Sequence, residues 1–106
     1  MPEIVPVRGV VYRGDLGYGL KPFLVVSNNT RNQKLNDCLV VRLTTTTKPD
    51  LPSIVKLEAA DAPLVGYVLC DDIAPAYRDE LRERIGALSL PSMVRVAAAL
   101  RAALAM

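Results

Sequence analysis

Histidine and tryptophan are absent from the 106 residues, which include only two cysteines and one phenylalanine. Without histidine the chain has no imidazole, the side chain that most often moves protons near neutral pH and most often ligates metals. Cys38 and Cys70 lie far apart, and two cysteines without histidine do not make a zinc site. They read as buried, reduced thiols of a cytoplasmic protein rather than as a disulfide framework. Asp71 and Asp72 are neighbours on an expected strand, so they point to opposite faces. No further carboxylate cluster completes a metal site around them, and structural or partner-facing roles are expected. No apolar run approaches the ~20 residues that span a bilayer. The acidic, proline-interrupted opening MPEIVPVRG is unlike a secretion signal. The glycines of the first loop fit neither a dinucleotide fingerprint nor a P-loop. These absences remove cofactor, metal and membrane functions from the expectation.

What is present is compact and unevenly charged. A hydrophobic content of 51% excludes a disordered chain, and residues 1–106 are expected to form one domain. A chain of this size hides only about 60–70% of its unfolded surface, so a second copy is a natural cover. Residues 1–48 carry seven basic side chains against three acidic, a net +4, whereas residues 49–106 carry six against eight, a net −2. Local positive potential of this kind steers anionic polymers.

The first two-thirds reads as β structure. Val5–Tyr12 predicts a strand, with Pro6 confined to its edge or start. Phe23–Ser27 and Leu39–Leu43 are short apolar runs of the kind buried on both faces. Asn28–Asp37, between them, is a polar surface connection with room for one helical turn. Ser53–Leu57, Tyr67–Cys70 and Arg84–Leu88 complete the strand set, and Tyr77–Arg84 predicts a short charged helix. At the C-terminus the period changes. Ser89 caps a helix opened by Leu90 and Pro91. Leu90, Met93, Val94, Ala97, Leu100 and Leu104 form its apolar stripe, with Arg95 and Arg101 outside it. A mainly β, SH3-like small barrel with a terminal helix is the expected fold.

Two strand ends collect the chemistry. A loop bearing Gly14, Gly17 and Gly19 delivers Lys21 to the mouth of one strand, and a second strand delivers Thr44 to Thr47 and Lys48. Cations, hydroxyls and amides so gathered suit a phosphodiester. Arg13, Arg31, Arg42 and Lys48 would position a nucleic-acid backbone or serve as solvated charges. Tyr18 would stack a base or close the hairpin. Ser27, Asn28 and Asn29 would read base edges or supply turn chemistry. On an extended strand Thr44 and Thr46 share one face, and Thr45 and Thr47 the other.

The order RGVVY, a loop ending in Lys21-Pro22, LVVSNN, VVRLTTTT, GYVLCDDIAPAYRDEL and IGALSLPSMVRVAAALRAAL resembles the MazF/PemK-type toxin endoribonucleases across nearly the whole chain. Two positions depart from that pattern: Val10 stands where the family usually has aspartate, and Lys21 where it usually has arginine. The resemblance implies a symmetric homodimer, single-stranded RNA as substrate and a MazE-like antitoxin as partner. It implies metal-independent cleavage to a 2′,3′-cyclic phosphate and a 5′-hydroxyl, with Lys21 and Thr44 as catalytic residues. Cleaving RNA without imidazole or metal needs charge stabilisation at phosphorus and proton transfer by other groups. Lysine provides the first, and takes part in the second as acid, or as base where its surroundings lower its pKa. Two alternatives stay open: a CcdB-like toxin that binds gyrase and catalyses nothing, and an inactive relative that only dimerises and binds antitoxin.

Overall fold

The computed structural model describes residues 3–106. Its strands are β1 (Val10–Asp15), β2 (Leu20–Val25), β3 (Asp37–Thr44), β4 (Ile54–Lys56), β5 (Tyr67–Tyr77) and β6 (Leu81–Ala87). Helix α1 (Asn29–Lys34) joins β2 to β3, and α2 (Leu90–Ala103) follows β6. All neighbours are antiparallel, in the spatial order β4-β5-β3-β2-β1-β6. No ladder joins β4 to β6. The expected barrel is therefore a barrel-like sheet that stays open.

The apolar runs bury both faces because side chains alternate across a strand. Val11, Leu24, Val41 and Leu43 enter one core with Val55, Leu64, Val68 and Val96, while Tyr12, Phe23, Val25 and Val40 enter a second with Ala76 and Leu81. Cys38 belongs to the second core and Cys70 to the first. The two thiols thus lie on opposite faces, and both are free. Burial, reinforced by Asp37 and Asp71 respectively, pushes each up to about 11. Neither is a nucleophile at neutral pH.

Several expectations change. The first strand starts at Val10, not Val5; Pro6 is fully buried, and the Val7 amide donates to the Tyr12 hydroxyl at 3.2 Å. Tyr77–Arg84 is not a helix. One 3₁₀ turn, Arg78–Glu80, precedes β6, whose ladder with β1 supplies the backbone partners that a helix would otherwise have to provide. The Glu80 carboxylate accepts from the Tyr77 amide at 2.8 Å and fixes that turn. β5 also runs beyond Cys70 to Tyr77 and tolerates Pro75, because β4 pairs only with its Tyr67–Leu69 end.

Helix α2 begins as expected, with the Ser89 side chain accepting from the Ser92 amide. Its buried face is different. Ser92, Val96 and Ala99 face the core with Met93 and Leu100 beside them, whereas Leu90, Val94 and Leu104 are exposed. The cause is Asp61, fully buried, which accepts from the Ser89 amide at 2.9 Å and the Ser92 hydroxyl at 2.7 Å. That grip turns the small-residue side of the helix inward. Arg95 then reaches the Lys56 carbonyl at 2.8 Å and Glu58 at 3.0 Å instead of solvent alone.

Candidate active site

The β1–β2 loop is built around a carboxylate. Asp15 accepts from the amides of Gly17 at 2.8 Å and Gly19 at 3.2 Å. Both glycines have positive φ, +109° and +88°, a region that costs a side chain dearly. The loop holds Tyr18 in solvent, 87% exposed, and hands the chain to Lys21, which is also exposed. The β2–β3 register runs Phe23↔Arg42, Leu24↔Val41, Val25↔Val40. Continued outward by two residues, it sets Lys21 directly across from Thr44.

Lys21 and Thr44 line one open cavity of about 540 Å³ with Arg13, Thr45, Thr46 and the tip Pro63–Val65. None of its lining residues is acidic. β3 ends at Thr44, whose hydroxyl oxygen accepts from the Thr46 amide at 3.1 Å. The chain therefore turns instead of alternating, and Thr45 joins Thr44 and Thr46 in the cavity rather than facing away. The accepted bond also leaves the Thr44 O–H free to donate outward.

The far wall of the cavity is positioned from below. Gly66, at φ +107°, lies so close to β3 that a Cβ there would stand 2.2 Å from the Thr44 carbonyl oxygen. Five residues earlier in the same segment, Asp61 is locked by the Glu58 amide at 2.9 Å, besides its bonds to α2. Burial pushes its carboxyl up, but the amides of Glu58 and Ser89 and the hydroxyls of Ser92 and Ser89 pull it further down, and it ends below the usual aspartate value.

The other expected RNA contacts divide by place. Arg13 is in the cavity and paired with Glu83; Arg42 lies two residues before Thr44 on the same strand face and pairs with Asp72 at 3.3 Å. Ser27, Asn28 and Arg31 sit at the opposite end of β2 from Lys21. There Ser27 is buried, bonded to Asn32 and to the Leu39 amide. Asn28 caps α1 through the Arg31 amide at 2.8 Å, and Arg31 pairs with Asp37 at 3.0 Å. Lys48 lines a separate hollow between residues 48–56 and α2. The structure does not bring these four side chains to the cavity. Asp15, Asp61, Gly66 and Tyr77 escaped the sequence reading, although Asp-x-Gly-x-Gly over residues 15–19 is a legible loop signal.

Residues 4–104 match the PemK-like, MazF-like toxins of type II toxin–antitoxin systems. The chain belongs to this family. It is 46% identical over 99 residues to Endoribonuclease MazF1 of Mycobacterium bovis, covering 93% of this chain and 92% of that protein. A mycobacterial endoribonuclease solved in complex with its cognate antitoxin superposes with a TM-score of 0.90 at 46% identity, over 95% of this chain and 96% of that one. The MazF of a Deinococcus radiodurans MazE–MazF structure shares the fold at a TM-score of 0.82 and 24% identity, over 98% of this chain and 99% of that chain. In this PemK/MazF frame, the cavity is formed by residues from five separate stretches of the chain.

Proposed function

We propose that this toxin is a metal-independent endoribonuclease that cuts single-stranded RNA in the Lys21–Thr44 cavity. The observation that carries this reading is the shared cavity: an exposed lysine and a threonine whose hydroxyl oxygen already accepts from the Thr46 amide, which leaves its O–H free to donate, line one cavity with no acidic lining. An anion fits there, and a cation does not.

In this mechanism the 2′-hydroxyl of the substrate gives its proton to a solvent water as its oxygen attacks the adjacent phosphorus, and the bond from phosphorus to the 5′-oxygen breaks. Lys21 offsets the charge that builds on the non-bridging oxygens and takes part in proton transfer, giving a proton to the departing 5′-oxygen as an ammonium. Thr44 donates a hydrogen bond to a non-bridging oxygen. The products are a 2′,3′-cyclic phosphate and a 5′-hydroxyl. The relatives solved with their antitoxins support a cognate MazE-like antitoxin as partner; a homodimer is the proposed working form and the cytoplasm the proposed location.

The test is incubation of purified toxin with total cellular RNA in EDTA, followed by mapping of new 5′-hydroxyl ends. Cuts at a short repeated motif are expected. Absence of cuts by folded, antitoxin-free protein would overturn the reading in favour of a binding toxin or an inactive relative.

A further inference from the structure

On the other side of Lys21 lies a second cavity, of about 530 Å³, whose character is different. Its floor is apolar, with Phe23 and Pro75, and two exposed tyrosines, Tyr18 and Tyr77, stand at its margin. Its polar wall is the Arg42–Asp72 pair, with Glu80 nearby. The wall owes its position to an irregularity in the sheet. β3 and β5 slip by three residues between Val41↔Ile73 and Arg42↔Leu69, and the extra residues Cys70–Asp72 lift Asp72 towards Arg42.

We infer that this cavity is a guanine site, holding the base next to the phosphate cut beside Lys21. The inference rests on the endoribonuclease reading for the identity of the polymer, and on this cavity alone for the base. Two carboxylates in the wall repel a second phosphate, so the occupant is an uncharged part of the chain. Unstacked bases are commonly held on aromatic faces and read along their Watson–Crick edges. The volume falls in the usual range for a small-molecule site. Arg42 and Asp72 meet through Nε and Oδ2 at 3.3 Å, and both are about half exposed. Among the described residues no other bond engages Asp72 Oδ1 or the two terminal guanidinium nitrogens of Arg42. The wall therefore presents acceptors beside donors.

Guanine is the base whose Watson–Crick edge matches that order. Its N1–H and N2–H₂ give two adjacent donors to one carboxylate, and its O6 accepts from the neighbouring guanidinium. Uracil has a single donor between two acceptors, so one carbonyl would face Asp72. Cytosine and adenine supply only one donor position each beside a ring nitrogen. Glu80 is spent in part on the Tyr77 amide at 2.8 Å, which fixes the backbone at Tyr77 where the chain leaves β5.

The experiment compares wild-type toxin with Asp72→Asn on a randomised single-stranded RNA pool, with mapping of 5′-hydroxyl ends. Wild type is expected to enrich guanine at one position adjoining the cut by about tenfold or more over uracil. Asp72→Asn should still cut and lose most of that enrichment. Another preferred base, or enrichment that survives the substitution, overturns the assignment while leaving the nuclease reading intact. A second arm uses no cleavage: titration of guanosine, inosine and uridine 3′-monophosphates, followed by NMR shifts of the residues around Asp72. Guanosine is expected to bind more tightly than inosine, which lacks the N2 amino group, and both more tightly than uridine. Equal binding overturns the site. Guanosine-selective binding without any RNA cutting would sink the nuclease reading and keep the site.

Discussion

In the proposed mechanism Lys21 and Thr44 meet different needs of the same phosphodiester, so their substitutions should fail differently. Removing the ammonium in Lys21→Ala takes away both charge stabilisation and a proton donor. A loss of about 10²–10⁴-fold in kcat/KM is expected. Lys21→Arg keeps the charge at the same strand mouth, and should retain much of the binding while testing proton transfer, since arginine does not give up its proton. Thr44→Val is nearly isosteric and removes one hydrogen bond to a charged oxygen, worth roughly 10- to 100-fold. It also orphans the Thr46 amide, which is solvent-exposed and can turn to water. Steady-state cleavage of one short RNA by the three variants, each checked by circular dichroism, reads these effects. Wild-type rates in Lys21→Ala would remove the mechanism.

At the scale of elements, Asp61 is the joint between the cavity wall and α2. Asp61→Ala orphans the part-buried amides of Glu58 and Ser89 and the buried Ser92 hydroxyl, and should cost about 2–4 kcal/mol. The sign of its pH effect follows from a carboxyl held below its usual value. Such a group contributes stability above the unfolded aspartate value, about 3.9, and the contribution is lost as pH falls through the lower folded value. Wild-type Tm should therefore drop more steeply below about pH 4 than that of Asp61→Asn; parallel curves would refute the joint. The same residue explains what the sequence could and could not tell. The strand runs around Leu24 and Val41 were legible because burial on both faces is written into consecutive apolar residues, and the Ser89 cap because it is local. The rotation of α2 was not, since its stripe of larger residues is overruled by a carboxylate 28 residues from Ser89. The path of Tyr77–Arg84 was hidden for a related reason: its charged pattern suits a helix, and only pairing with β1 makes it a strand. In the cavity, Lys21 and Thr44 came from the family pattern, whereas the Pro63–Gly66 wall and the lifted Asp72 depend on close approach and strand slippage that spacing does not encode.

The whole molecule redistributes the charge asymmetry of its sequence. Arg13 pairs with Glu83 and Arg42 with Asp72, each an acid from the second half of the chain, and Arg31 pairs with Asp37. Three of the seven basic side chains of the first half are thus answered by the fold, and Lys21 is left as the cation at the cavity with no ion pair among the described residues. This decides how RNA affinity should respond to salt. Each phosphate neutralised on a single strand contributes a slope of about −0.7 to log K against log salt. Lys21 with one or two arginines that exchange partners predicts roughly −1.4 to −2.1 per site, whereas engagement of all seven basic residues of the first half would approach about −5. Fluorescence-anisotropy titrations of an uncleavable 2′-deoxy oligonucleotide at several salt concentrations measure that slope. A shallow slope that flattens further in Lys21→Ala fits a toxin that holds RNA chiefly by one phosphate and its neighbouring base. A steep slope unaffected by that substitution would mean that the strand runs over a basic surface elsewhere on the molecule.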